Sequence, residues 1–217
     1  MFMQCGPLRV KVKQDKADIP HTQEVVWKDF SPSGVSPEMT VTNLYALLSQ
    51  DSTRTSLIVD DIVSSLKEGR FPLVLTERKA HLELIHHEMV GKIEASIAVL
   101  FGGQGKKARA EAMSRIEANA STPRVVLATG KLVGEGFDLP DLDTLFIALP
   151  ISWRGTLQQY VGRLARSSAY KSLVQVYDYQ DLGHPILLRM GEKRRSGYRM
   201  LGFSCRPGQS SHQWFKA

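Results

Sequence analysis

The 217 residues, 42% of them apolar and with a net charge of +6, can bury a substantial core, and one α/β domain with appendages is the natural size reading. No run of about 18 apolar residues occurs and Met1–Lys13 lacks a signal-like apolar centre, so no membrane partner is implied and a cytoplasmic protein is expected. Cys5 and Cys205 stand far apart without CxxC spacing, and His86 and His87 are adjacent on an expected helix, which argues against a disulfide framework and a metal site.

In chain order, Leu8–Val12 and Gln23–Trp27 alternate with period two and predict short strands, a hairpin or a sheet edge. Ser31–Pro37 is a Pro/Gly/Ser linker and the best candidate boundary, with the compact domain after it. Leu44, Leu47 and Leu48, then Leu57, Ile58, Ile62, Val63 and Leu66, predict helices over 40–50 and 54–68, the second stopped at Gly69. Asp60 and Asp61 fall on the polar side of that helix and read as a solvated face. Phe71–Thr76 predicts a buried strand feeding a helix over 79–90 with Leu82, Ile85 and Met89 inward. Ala95–Phe101 is the next strand. The glycine loop after it, Gly102–Lys107, opens a helix over 106–120, and its amides and lysines could meet a phosphate. It is not a P-loop, because Leu100 and Lys107 occupy the places of the first glycine and the final Ser/Thr.

Arg124–Thr129 is an apolar run that breaks at Gly130, passes Gly134 and Gly136, reaches Phe137-Asp138-Leu139-Pro140, and leads to a second run, Thr144–Leu149. In the helix expected over 155–166, Gln159, Arg163 and Arg166 recur at spacings of four and three and share one face. Guanidiniums aligned in this way suit phosphate oxygens, although a solvated basic helix has the same spacing. Leu173–Tyr179 predicts a last strand, and 185–201 an amphipathic helix with Ile186, Leu187, Met190 and Leu201 on its apolar side. From Gly183 onward seven basic residues face one acid, Glu192, so this end holds the whole net charge; a solvated face and contact with a phosphate backbone both account for it. Gly202–Ala217 reads as a loose tail. Strands alternating with helices specify a parallel sheet covered on both faces.

Ala128-Thr129-Gly130, Gly134 to Pro140 and Gln159-x-x-Gly162-Arg163-x-x-Arg166 resemble, in order and spacing, motifs V and VI of superfamily 2 helicases, the motors related to DEAD-box proteins and to the helicase subunits of restriction and repair enzymes. The resemblance implies an α/β RecA-like lobe over 38–183, the second of the two lobes of such a motor. Residues 1–37 would be the interlobe connection and 184–217 a basic helix and loose tail. It implies ATP with Mg²⁺ in a cleft between lobes. Arg166 and then Arg163 would serve as the arginine finger, Gln159 would couple nucleotide to lobe position, and Gly136, Asp138 and Gly162 would lie against the nucleotide, Asp138 on the ribose. It also implies DNA or RNA along Thr76, Arg78, Gly102, Gly103, Thr129 and Lys131. For Thr76 a helix-capping role, for Arg78 a surface role and for Asp138 a turn role remain open alternatives.

Neither a P-loop nor a DEAD/DEAH-type acidic box occurs in the sequence, so the expected partner is a P-loop lobe in the same or another chain, and the chain alone is expected not to hydrolyse ATP. A stand-alone nucleic-acid-binding module with the same fold is the other reading. A dinucleotide-binding dehydrogenase-like domain shares the Thr129-Gly130-x-x-x-Gly134-x-Gly136 turn. Against it, Pro140 blocks the helix that must follow, and no Tyr-x-x-x-Lys comes after.

Overall fold

A computed structural model describes residues 22–118, 121–130, 139–151, 157–164 and 172–207. In chain order the elements are β1 (Thr22–Phe30), α1 (Val41–Gln50), α2 (Ser52–Lys67), β2 (Pro72–Thr76), α3 (Lys79–Met89), β3 (Ser96–Leu100), α4 (Lys106–Ala118), β4 (Arg124–Thr129), β5 (Thr144–Ile147), α5 (Gln158–Leu164), β6 (Leu173–Asp181), α6 (Pro185–Met200) and β7 (Ser204–Pro207). The seven strands form one sheet in the order β3-β4-β2-β5-β6-β1-β7, and every pairing is parallel.

Parallel strands are covered on both sides, which is why these segments read as continuous apolar runs rather than alternating ones. In β2, Leu73 and Leu75 face one core and Val74 the other. On the first side Leu73, Leu75, Val126, Ala128, Leu145 and Ile147 pack against Ala112 and Ile116 of α4, Leu157, and Tyr160, Val161 and Leu164 of α5. On the second side Val74, Val125, Leu127 and Phe146 pack against Ile58, Val59, Ile62 and Leu66 of α2 and Leu82, Ile85 and Met89 of α3. A third cluster, Leu44, Leu48, Leu149 and Leu187, joins α1 and the start of α6 just past the end of β5.

The helix ends follow local chemistry. Thr40 caps α1 by accepting from the Asn43 amide at 3.3 Å, and Asp51 caps α2 by accepting from the Arg54 amide at 2.9 Å. Gly69, at φ +76°, ends α2 in the left-handed conformation expected of a glycine stop. Pro185 occupies the first turn of α6, and His184 caps it through Nδ1, which accepts from the Ile186 amide at 3.2 Å.

Three segments differ from the sequence reading. Thr22–Phe30, expected as a hairpin or edge within a connection, is an inner strand between β6 and β7, with Val25, Val26 and Trp27 buried. Its polar residues mislead because they too are used inside the sheet: Gln23 is buried and Glu24 lies opposite Gln175 and Ser204. The 31–37 linker is a loop within the fold, its end held where His184 Nε2 meets the Pro37 carbonyl at 3.1 Å. Ser204–Pro207, read as the start of a loose tail, adds a parallel strand to β1, a pairing across some 180 positions that no local pattern announces. Leu8–Val12 lies outside the described residues.

Candidate functional site

Those of the expected site residues that the structure describes lie at the carboxyl ends of β2, β3 and β4 and on α5, where an open parallel sheet presents its loops. At the end of β2 Thr76 is fully buried. Its hydroxyl meets His81 Nδ1 at 3.0 Å and accepts weakly from the Arg78 amide at 3.4 Å. Thr76, expected to touch nucleic acid, is therefore turned into the lobe, and it braces the β2–α3 turn instead. The tautomer decides which of the two groups donates, and the other ring nitrogen, Nε2, has no partner among the described residues. Burial, and secondarily the charge of Arg54, lowers the His81 pKa to about 3.

Arg78 is half-buried and donates through Nη2 to the Thr42 carbonyl at 2.9 Å, tying the turn to the first turn of α1. At the end of β3 the Gly102 amide donates to Thr129 Oγ1 at 3.3 Å, and Gly103 takes φ +86°, a conformation that side chains other than glycine rarely adopt. Lys79 Nζ lies 4.4 Å from the centroid of the Phe101 ring. Arg78, Gly102, Gly103 and Thr129 thus form one rim over the ends of β2, β3 and β4.

Gly130 joins that rim to α5. Its amide continues the sheet by donating to the Thr76 carbonyl at 3.1 Å, and its carbonyl accepts from the Tyr160 hydroxyl of α5. A Cβ at Gly130 would lie 2.7 Å from Glu77 Oε1, the far end of an exposed side chain that can swing aside. Leu157, just before α5, and Tyr160, Val161 and Leu164 on it make a buried stripe at helical spacing, while Gln159 is exposed and Gly162 half-buried on the other side. A Cβ at Gly162 would meet no atom within 4 Å among the described residues. Arg163 continues the helix, and its side chain lies outside the described set, as do Lys131, Gly136, Asp138 and Arg166.

Sequence reasoning missed a group of buried polar residues behind α5. Three of the four carbonyls of the segment leaving β5, residues 148–151, receive side-chain donors: Ala148 from Arg54 Nη1, Pro150 from the Tyr45 hydroxyl, and Ile151 from Arg194 Nη1 at 3.3 Å. Each arginine also holds a carboxylate of β6 with two nitrogens. Arg54 reaches Asp181 at 2.7 and 3.1 Å, and Arg194 reaches Asp178 at 2.8 Å twice, with the Tyr198 hydroxyl adding a third bond at 2.9 Å. Burial works against charge on Arg194, yet the Asp178 carboxylate outweighs it and holds the guanidinium pKa above its ordinary value. Burial pushes the Asp181 carboxyl up, with Arg54 opposing. Burial, and then the charge of Glu77, raises the Tyr45 hydroxyl. A signal was present in the sequence: Arg54 lies on the Ile58–Ile62 stripe of α2, and Arg194 lies three residues from buried Gly191 and four from buried Tyr198.

Among the described residues no helix is long and apolar enough to cross a membrane, and no group of three or more His, Cys, Asp or Glu is placed to hold a metal ion.

A family model described as the helicase conserved C-terminal domain matches residues 54–168. The chain is similar to transcript termination protein A18 of Fowlpox virus (strain NVSL), 27% identical over 150 residues, covering 66% of this chain and 32% of that relative, so it spans about a third of the relative's length. Among solved structures it resembles T4 UvsW with a TM-score of 0.67 at 15% identity, over 87% of this chain and 41% of that one. It also resembles S. cerevisiae Dbp5 bound to RNA and ADP BeF3, with a TM-score of 0.54 at 10% identity over 87% of this chain and 42% of that one.

Proposed function

Because the chain belongs to the helicase conserved C-terminal domain family and has the RecA-like fold of a superfamily 2 C-terminal lobe, we propose that it is the second motor lobe of an ATP-dependent nucleic-acid helicase or translocase. Its P-loop and Mg²⁺ carboxylates come from a first lobe, in the same or another chain. The observation that supports this reading is the two-sided α5: an apolar stripe seated in the core and an opposite face bearing an exposed Gln159 and a half-buried Gly162 whose Cβ position meets no described atom.

ATP with Mg²⁺ would supply the transferable γ-phosphoryl group. This chain's part is to bring charge to it. Arg166 is assigned the finger and Arg163, one helical turn after Gln159 on α5, the supporting guanidinium. In phosphoryl-transfer enzymes such a finger is worth about 10³ to 10⁵ in rate, because a preplaced cation need not reorganise as charge develops. Gln159 senses the nucleotide, Asp138 accepts from the ribose hydroxyls, and Gly136 and Gly162 leave room for the ligand to approach. Nucleic acid runs along the rim of Arg78, Gly102, Gly103, Thr129 and Lys131, with Thr76 and His81 as the brace beneath it.

The test is nucleic-acid-stimulated ATP hydrolysis by the chain alone and by a polypeptide that also carries the P-loop lobe. The chain alone should be inactive. The two-lobe protein should be active and should lose about 10³-fold or more with Arg166→Ala. Hydrolysis by the isolated chain that Arg166→Ala abolishes would overturn the two-lobe reading.

A further inference from the structure

We propose that Tyr45, Arg54 and Arg194 are positioning residues that set α5, and with it the arginine-bearing face, by clamping the backbone of the segment that leads to it. The role in hydrolysis rests on the reading above, whereas the clamp itself does not.

The clamped carbonyls belong to Ala148, Pro150 and Ile151, where the chain has left β5 but has not yet entered α5. Carbonyls at such a place lose their ladder partners, and on most loops water serves them at no cost in design. Here three donors come from three different helices, α1, α2 and α6. The segment therefore cannot shift without breaking a bond to each of them. Leu149, between the bonded carbonyls, is fully buried between Leu44, Leu48 and Leu187, which closes the remaining direction.

The choice of arginine is the second argument. Each guanidinium has five donors in one plane, so it can hold a carboxylate with two nitrogens and still aim another at a neighbouring carbonyl. Lysine has no such plane. Both Arg54 and Arg194 divide their donors in this way, between an aspartate of β6 and a carbonyl of the same four-residue segment. Buried ion pairs of this kind are poor investments in stability, since desolvation offsets most of the attraction. Two of them converging on one short backbone segment serve placement. The strand that carries Asp178 and Asp181 is thereby coupled to the start of the path into α5, whose far side is held by the Tyr160 hydroxyl on Gly130.

Amide hydrogen exchange on this chain tests the clamp, with Tyr45→Phe and Arg194→Lys. Expected is faster exchange of the Gln159–Leu164 amides, about three- to tenfold for Tyr45→Phe as befits one hydrogen bond and more for Arg194→Lys, with amides of β2 and β4 unchanged. Unchanged α5 exchange in Tyr45→Phe overturns the proposal, and so does a rise shared equally by β2 and β4, which marks general loosening. Should Arg194→Lys not fold, Tyr45→Phe decides alone. In the two-lobe protein Tyr45→Phe should lower kcat with little change in KM for ATP. If α5 loosens while kcat and the Arg166→Ala variant both stay at the starting value, the clamp stands and the assigned function falls.

Discussion

Acid should destabilise this lobe through His81, and the size of the effect follows from its surroundings. The ring is fully buried, its Nδ1 is engaged by Thr76, its Nε2 has no described partner, and its pKa is lowered from 6.5 to about 3, by burial first and by the charge of Arg54 second. Above pH 6.5 the residue is neutral in both folded and unfolded chains and contributes no pH dependence. As pH falls below 6.5 the unfolded chain takes up a proton that the folded chain refuses, so stability declines by about 1.4 kcal/mol per pH unit until the folded pKa is reached. At pH 5 the deficit is roughly 2 kcal/mol, being one and a half units below 6.5. That is less than the 5 to 15 kcal/mol typical of a domain, so the lobe stays folded but its urea midpoint drops by somewhat under about 1 M. Urea titrations at pH 7.5, 6 and 5 on the starting protein and on His81→Asn isolate the effect, because every other titrating group is common to both. Asparagine keeps a polar group for Thr76 and has no proton to gain. The two proteins should converge in stability, by about 2 kcal/mol, between pH 7.5 and 5. Parallel pH profiles would refute the argument, and would mean that the ring is hydrated and titrates normally.

Two further substitutions probe the packing around β6. Gly191→Ala in α6 should destabilise by about 1 to 3 kcal/mol as an overpacking change, although alanine is the better helix former by about 1 kcal/mol. The new Cβ would lie 1.6 Å from Oε1 of Gln180, a buried side chain whose Nε2 already serves the Asp181 and Leu187 carbonyls. A raised urea midpoint would show that helix propensity decides instead. Arg54→Leu should cost about 3 to 5 kcal/mol, because it strands the Asp181 carboxylate in the core. Adding Asp181→Leu should recover most of that, and chemical denaturation of the single and double variants measures both.

The order of strands and helices was legible because buried parallel strands write themselves as short apolar runs and the helices between them keep helical spacing. The outer face of α5 was legible for the same reason: once Leu157, Tyr160, Val161 and Leu164 are recognised as the inward stripe, Gln159 must point away. What was not legible is partnership. A sequence shows an arginine on an apolar stripe at position 54 or 194, but the identity of its carboxylate depends on which strand comes to lie beneath it, and Asp178 and Asp181 are separated from Arg54 by more than 120 positions. Thr76 illustrates the same limit at short range, since phosphate contact and internal bracing both suit a threonine at a strand end and only the placement of His81 separates them. β1 and β7 escaped because strands at the margin of a sheet tolerate polar residues, and β7 pairs with a strand some 180 positions away.

The arginines then divide by what answers their charge. Of the basic residues counted near the end of the chain, Arg194 is neutralised in the core by Asp178, and Arg195 lies 4.9 Å from the centroid of the Trp27 ring with burial lowering its pKa. Neither adds to a phosphate-binding surface, so the excess charge overstates what α6 offers to nucleic acid. Arg189, Lys193 and Arg199 remain exposed, and the spacing from 193 to 199 puts the last on a different side of the helix. Arg54 and Arg194 have their anions built into β6 and so can act only on position. From Gln158 to Arg166 the sequence contains no acid at all, so this stretch offers Arg163 and Arg166 no carboxylate of its own. An anion that completes them has to arrive from another element or from a ligand, which is the requirement for a finger that acts only when a nucleotide is held against it.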